Sequence, residues 1–184
     1  HASSFAAALR SPRREDPDVL LVGELSAPEA MRLALQLASS GVLVLGKMYA
    51  LGAPATLERF IAAFPAEEHP LIRGLLAESL VGIVSLQLLR TVDGKGRVPA
   101  VEVLLGSGAV ASVIREGRVE ELSGQMQAEQ AQGMQTMDMH LEELVSATAT
   151  TPEAALEKAQ DPEAFAPTLQ RLQPGFELPE DVKA

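Results

Sequence analysis

Four consecutive apolar residues, Val19 to Val22, run directly into Gly23 and Glu24. A short run without polar interruption is typical of a strand that is buried on both faces of a parallel sheet. Because open α/β sheets bind ligands beyond the carboxyl ends of their strands, Glu24 is predicted to lie at a ligand-binding edge. The alternative is an ordinary buried strand that ends in a solvated acid, and the spacing alone leaves both interpretations open.

The residues that follow predict a helix and then a second strand. Ser26 and Glu29 have the spacing of a capping box, and an apolar stripe with helical spacing comes after them. The stripe ends at Gly41, where another apolar run, 42–45, predicts the next strand. These elements together predict a right-handed βαβ unit with two parallel strands.

The rest of the chain alternates between helical and extended patterns. Apolar stripes predict further helices over residues 54–64, 71–83, 110–116, 137–145 and 151–159. Asp93 and Gly94 predict the turn of a hairpin, with one strand past Ser85 and one over 98–105, at one edge of the sheet. Residues 165–184 show little periodicity, so we expect a mobile tail there.

Composition and charge exclude several classes of protein. The apolar content of 47% with 22% charged residues is ordinary for a soluble globular protein. The formal net charge of −10 repels a phosphate backbone, so nucleic acid is not expected as a partner. The absence of cysteine and the wide spacing of the three histidines predict no metal site. The apolar runs are too short to span a membrane, so any membrane contact is expected through partners.

Several motifs in one order resemble the type II/IV secretion and pilus ATPases, and in particular the type IV pilus retraction ATPase family. They are the Ser4–Arg10 segment, a Walker B segment at 14–24, Phe64-Pro65-Ala66-Glu67-Glu68, Glu78-Ser79-Leu80, Ile114-Arg115-Glu116 and Gly133-Met134-Gln135-Thr136-Met137-Asp138. The resemblance runs from His1 to near Ala159. Because it is already in progress at residue 1, we expect the sequence to be a piece of a longer chain. The alternative is a processed product from which a secretory signal has been cleaved.

The resemblance implies an α/β fold, namely a partial RecA-like P-loop NTPase core from the Walker B strand onward with a helical segment at its carboxyl end. We therefore expect residues 1–118 to form the carboxyl-terminal part of the ATPase domain. Residues 119–164 would then form the helical segment, ahead of the tail at 165–184.

Glu24 matches the catalytic glutamate of the family, which polarises the attacking water and supports the magnesium shell. Arg14, Arg59 and Arg73 match arginines of the family, and an arginine could reach the phosphate of a nucleotide on a neighbouring subunit. Ordinary surface ion pairing is the alternative for each arginine.

A second family signature is a helix that is associated with pilus retraction. Here Arg115 and Glu116 keep its final Arg-Glu pair, whereas Ala111 and Ser112 replace its first arginine and its asparagine. The alternative is that Arg115 and Glu116 form a solvated helix end.

Other parts of the family's nucleotide site are missing from the sequence. No G-x-x-x-x-G-K-[ST] string occurs, and the family's acidic box is absent. The two histidines that sense the γ-phosphate in the family correspond to Val42 and Tyr49, the threonine that follows the second corresponds to Ala50, and 25–27 lack the usual Arg-Asp pair. ATP and magnesium are the cofactors of the intact family, but we expect neither to bind tightly to this chain alone.

The resemblance implies part of a ring-forming, hexameric motor subunit that hydrolyses ATP to drive pilus retraction. Its expected place is the cytoplasmic face of the inner membrane, at a type IV pilus or a related secretion machine. Its expected partners are copies of itself or paralogous subunits and an inner-membrane platform protein. The alternative is a non-hydrolysing, degenerate paralogue that acts as an interaction or regulatory subunit. An unrelated α/β binding module would require the ordered motifs to be accidental.

Overall fold

The computed structural model describes residues 17–179, which form two compact units. The first unit contains the residues up to Val81 together with Leu105–Leu122, and the second contains Gly82–Leu104 and the residues from Ser123 on. The predictions for Arg14, for the Ser4–Arg10 segment and for 180–184 lie outside the described residues.

The first unit is built around a parallel pair of strands that a helix connects. Its elements are β1 (Val19–Val22), α1 (Pro28–Ser39), β2 (Leu43–Gly46), α2 (Gly52–Ala62), α3 (His69–Ser79), α4 (Gly108–Glu116) and short 3₁₀ turns at Ala66–Glu68 and Val119–Glu121. Strands β1 and β2 pair in parallel from Val19 opposite Leu43 to Val22 opposite Gly46. The predicted strand–helix–strand order is therefore confirmed.

The strand pair is covered on one face only within the described part of the chain. Val22 is 1% exposed, but Leu21 is 76% exposed. Successive side chains of a strand point to opposite faces, and α1 packs against β2 on one of them. The other face presents Val19, Leu21, Leu43 and Leu45 to solvent. The prediction of burial on both faces is therefore wrong for residues 17–179.

Capping explains both ends of α4 but not the start of α1. Helix α1 begins after Ala27, whose side chain makes no capping hydrogen bond, so the capping box predicted at Ser26 is wrong. Pro28 at the first position supplies a helical φ instead. The start and end of α4 follow the usual rules, because Ser107 caps its first turn and Gly117 ends it in the left-handed conformation at φ 76°.

Helices α3 and α4 pack against each other although 28 residues of sequence, 80–107, separate them. Where the chain returns to the first unit, the Gly106 N–H donates to the carbonyl of Val81 at 2.8 Å. A Cβ atom at Gly106 would lie 2.3 Å from the carbonyl oxygen of Leu80. Only glycine allows this close approach of two backbone segments.

In its described residues, the second unit combines a hairpin with four helices. Its elements are β3 (Gly82–Arg90), β4 (Arg97–Leu105), α5 (Leu122–Ala128), α6 (Met137–Ser146), α7 (Pro152–Leu156) and α8 (Pro162–Leu172), with a 3₁₀ turn at Gln130–Gln132. The hairpin is confirmed, but in residues 17–179 it forms its own two-stranded sheet instead of an edge of the parallel sheet.

The structural division differs from the domain boundary predicted at residue 118. Leu89 and Ala100 of the hairpin lie in one apolar core with side chains of α6, α7 and α8. The hairpin therefore belongs with the later helices, although it precedes α4 in the sequence. Helix α3 ends at Ser79, several residues before the predicted end at 83, because β3 already begins at Gly82.

Part of the predicted tail is an ordered helix. Helix α8 spans Pro162–Leu172, and Phe165 and Leu169 lie in the core of the second unit. The Asp161 carboxylate accepts a hydrogen bond from the N–H of Ala164 at 3.0 Å and so caps the first turn. The prediction of a mobile tail from residue 165 is therefore wrong over the described residues.

Two carboxylates hold the segment between α7 and α8. Glu102 is 0% exposed and accepts hydrogen bonds from the N–H of Met137 at 3.2 Å and from Gln160 Nε2 at 2.7 Å. The Asp138 carboxylate accepts from the N–H of Gln160 at 2.8 Å and of Asp161 at 3.4 Å. Burial raises the pKa of the Asp138 carboxyl above its ordinary value.

Candidate functional site

Glu24 lies just beyond the carboxyl end of β1, at the edge of the parallel strand pair. It is exposed and lines a cleft of about 260 Å³ together with Leu25, Ser26, Met31, Tyr49, Arg59, Ala62 and Ala63. The cleft thus joins the ends of both strands to the last turn of α2. This position agrees with the edge predicted from the sequence, and the catalytic role of Glu24 stays a prediction.

The position of Glu24 is set by backbone hydrogen bonds to Lys47. The N–H of Lys47 donates to the carbonyl of Val22 at 3.3 Å, and the N–H of Leu25 donates to the carbonyl of Lys47 at 2.8 Å. These two bonds bracket Gly23 and Glu24. They extend the pairing past the last strand residues and place the Lys47 backbone opposite the Gly23–Glu24 step.

Tyr49, which lines the cleft, is hydrogen-bonded to both Lys47 and Arg59. Lys47 Nζ donates to Tyr49 Oη at 2.9 Å and lies 4.5 Å from the centre of the Tyr49 ring. Arg59 Nη1 donates to the carbonyl oxygen of Tyr49 at 2.6 Å. The hydrogen bond to Tyr49 is the main cause that raises the pKa of Lys47 above its ordinary value, and the charge of Glu24 contributes in the same direction. The side chain of Lys47 is therefore positively charged at physiological pH.

Arg73 does not line the cleft. Its guanidinium lies against the end of α4, where a Cβ atom at Gly117 would be 2.9 Å from Arg73 Cζ and Nη1. Its Nε atom is buried and has no hydrogen-bond partner within residues 17–179. The structure thus brings Arg59, but not Arg73, to Glu24.

Arg115 and Glu116 are exposed at the end of α4, and neither lines the cleft. The Glu116 carboxylate accepts hydrogen bonds from Ser112 Oγ at 2.7 Å and from Arg118 Nη2 at 2.7 Å. These bonds, that of Ser112 first, hold the pKa of Glu116 below its ordinary value. Glu116 is therefore engaged at its own helix end, whereas Arg115 is exposed.

Sequence reasoning missed Lys47, although a signal for it exists. Lys47 directly follows the second apolar strand, as Glu24 follows the first, so the two residues reach the same edge of a parallel pair.

Across residues 17–179, no group of three or more His, Asp or Glu side chains could hold a metal ion. No helix in that range has the length and apolar character that a membrane span requires.

Comparison with known proteins gives matches over most of the chain. A family model described as type II/IV secretion system protein matches residues 1–177. A twitching motility protein of Neisseria gonorrhoeae is 46% identical over 165 residues, which cover 90% of this chain and 44% of that relative. The type IV pilus retraction ATPase PilT of Pseudomonas aeruginosa is 43% identical over 161 residues, which cover 88% of this chain and 46% of that relative. The chain thus spans somewhat less than half the length of these relatives.

Solved structures agree with these sequence matches. The crystal structure of the pilus retraction motor PilT with bound ADP matches with a TM-score of 0.80 at 37% identity, over 88% of this chain and 45% of that chain. The ATPase DotB of Legionella pneumophila matches with a TM-score of 0.72 at 24% identity, over 84% of this chain and 42% of that chain, and shows the fold alone. The predicted resemblance and the predicted partial RecA-like α/β core are confirmed.

Proposed function

Because the chain belongs to the type II/IV secretion system protein family, we propose that it is the carboxyl-terminal part of a motor ATPase of the pilus retraction type. The motor would couple ATP hydrolysis to retraction of a type IV pilus or to movement in a related secretion machine. The observation that carries the proposal is the placement of Glu24 at the edge of the parallel strands in a chain 46% identical to a twitching motility protein.

The residues at the cleft suit phosphoryl transfer to water. The exposed carboxylate of Glu24 can accept a hydrogen bond from the attacking water and orient it. Arg59 brings positive charge to the cleft, where a phosphate group would need it, and the Lys47 ammonium donates to Tyr49, which also lines the cleft. Magnesium bound with the nucleotide would supply the remaining charge neutralisation.

The backbone N–H groups that bind the phosphates of the nucleotide would come from residues outside this sequence. The 184 residues contain no P-loop string, which in such enzymes provides the backbone N–H groups around the phosphates. The cleft supplies the Glu24 carboxylate and the Arg59 guanidinium for one phosphate-sized group, which fits the part of the site that follows the Walker B strand. We therefore assign hydrolysis to the whole polypeptide and not to these residues alone.

Assembly and location follow from the same proposal. The intact motor would form a hexameric ring, alone or with paralogous subunits, and act on an inner-membrane platform protein from the cytoplasm. The side chains on the open face of the β1–β2 pair are apolar and exposed, so we expect another part of the assembled protein to cover this face.

A degenerate, non-hydrolysing paralogue is the second candidate. Tyr49 and Val42 stand where the family resemblance leads one to expect histidines, and a phenol cannot replace an imidazole as a proton acceptor near neutral pH. Such a subunit would act by packing against active motor subunits.

The test compares ATP hydrolysis by the longest natural polypeptide that contains this sequence with that of its Glu24→Gln variant. We expect the variant to lose about 100-fold or more in turnover, with its affinity for ADP little changed, because only the positioning of water is lost. Glu163→Gln, which changes an exposed acid on α8 outside the family motifs, is the matched control and should keep the parent rate.

Two results would contradict the assignments. An unchanged rate in Glu24→Gln would show that Glu24 does not orient the water. A parent polypeptide that binds the nucleotide but does not hydrolyse it would favour the degenerate paralogue.

A further inference from the structure

Helices α1 and α2 both contribute side chains to the cleft, and the two segments contact each other beside it. Met31 of α1 lines the cleft, as do Ala62 and Ala63 at the end of α2. The next residue of the first segment is Arg32 and that of the second is Phe64. The Arg32 guanidinium carbon lies 4.9 Å from the centre of the Phe64 ring. The separation of the two cleft walls is therefore coupled to this contact.

Arg32 also forms an ion pair with the turn that follows α2. Its Nη2 atom lies 2.6 Å from Glu68 Oε2, and both side chains are partly buried. The N–H of Glu68 donates to the carbonyl of Pro65 at 2.9 Å, which fixes Glu68 within the 3₁₀ turn. A guanidinium can make both contacts at once, because its flat face stacks on a ring while N–H groups at its edge donate to a carboxylate.

Phe64 gives Arg32 a rigid surface to contact. The residue is 4% exposed, and its ring centre lies 5.9 Å from that of Phe60, one turn earlier on α2. Its carbonyl oxygen lies 2.9 Å from Nε2 of His69, the first residue of α3. A displacement of Phe64 would therefore move the last turn of α2 and disturb the start of α3.

We propose that Arg32 is a positioning residue for hydrolysis at the Glu24 cleft, and that it acts by holding the turn at 64–68 against α1. The held turn keeps the end of α2, which carries Arg59, in place beside Glu24. The inference rests on the proposed function and gives the Phe-Pro-Ala-Glu-Glu motif a role without contact to the nucleotide. Without Arg32 the α2 wall takes other positions, so a smaller share of the bound nucleotide lies in the geometry that water can attack.

The experiment measures single-turnover hydrolysis of ATP by the longest natural polypeptide that contains this sequence, with the polypeptide in saturating excess and magnesium present. The rate constant then refers to bound ATP, so a smaller folded fraction does not change it. We expect Arg32→Met to lower this rate constant about fivefold and to change the dissociation constant of ADP less than about twofold. A fivefold loss equals about 1 kcal/mol, similar to the joint contribution of a surface ion pair and a cation–π contact.

Two further variants separate the ion pair from a general loss of surface charge. Arg32→Lys keeps a cation opposite Glu68 and should hydrolyse bound ATP within about twofold of the parent. Arg171→Met removes a 2.8 Å ion pair with Glu142 in the second unit. It is the matched control and should keep the parent rate constant.

Each other outcome overturns the inference. A parent rate constant in Arg32→Met, or an equal loss in Arg171→Met, would remove Arg32 from positioning and leave the proposed function intact. A loss of ADP affinity as large as the loss of rate would mean that Arg32 acts on nucleotide binding. Arg32→Lys as slow as Arg32→Met would mean that the charge opposite Glu68 does not hold the turn. A parent that binds nucleotide but does not hydrolyse it would refute the proposed function itself, and the positioning role with it.

Discussion

The close approach at Gly106 predicts that Gly106→Ala strongly destabilises the first unit. The new Cβ atom would lie 2.3 Å from the carbonyl oxygen of Leu80, whereas a carbon and an oxygen normally stay about 3.3 Å apart or more. The obstacle is backbone, so it cannot rotate away, and one of the two segments must shift by about 1 Å. The shift also strains the Gly106–Val81 hydrogen bond of 2.8 Å.

The expected fall in the free energy of unfolding of Gly106→Ala combines two costs. Overpacking costs about 1–3 kcal/mol, and a weakened hydrogen bond costs about 0.5–1.5 kcal/mol. We therefore expect the free energy of unfolding to fall by about 2–4 kcal/mol in Gly106→Ala, which lowers the urea midpoint by about 1–2 M. Gly108→Ala is the matched control, because a Cβ atom there meets no atom of residues 17–179 within 4 Å.

The assay is urea unfolding followed by tyrosine fluorescence. The chain has one tyrosine and no tryptophan, so the signal reports on Tyr49 in the first unit. Gly108→Ala should match or slightly exceed the parent in stability. Equal midpoints for the two alanine variants would refute the argument from close approach.

Two further predictions concern the second unit. Thr148 has φ 55° after the end of α6, a conformation that costs a β-branched residue about 1–2 kcal/mol, so Thr148→Gly should raise the free energy of unfolding by about 1 kcal/mol. A loss of stability in urea unfolding followed by circular dichroism would contradict this. Burial raises the pKa of Asp138 above 3.8 in the folded state, so the folded protein holds this proton more tightly than the unfolded chain. The contribution of Asp138 to stability therefore falls as the pH rises from 3.8 through the raised pKa. Asp138→Asn should become more stable relative to the parent over that pH range, and a constant difference between the two would argue against it.

The parallel pair and the edge at which Glu24 lies could be predicted because they depend on short-range pattern. Two apolar runs separated by a helical stripe define β1 and β2, and the residue that follows each run must reach the same edge. The contact of Arg59 with Tyr49 could not be derived in this way, since the two residues are ten positions apart, with Tyr49 in the loop before α2 and Arg59 on α2. The resemblance alone singled out Arg59.

The errors arose where long-range packing decides the structure. The alternation within β3 predicts a strand but does not show which elements the strand packs against. Leu89 of β3 is buried in the core of the second unit. Helix α8 contains Pro167, which usually interrupts a helix, and this obscured the spacing of Phe165 and Leu169. The exposed face of β1 was not predicted because an apolar run indicates that a strand can be buried, but does not show whether this part of the chain contains the elements that cover both of its faces.

The interrupted path of the first unit has a consequence for biosynthesis. Helix α3 needs α4 as its packing partner, but about 40 residues must be translated between Val81 and Leu122. At typical rates of about 5–20 residues per second, the ribosome takes roughly 2–8 s to supply them. During this delay the nascent chain carries an incomplete apolar core, so slow codons or a bound chaperone in this interval would change the yield of native protein.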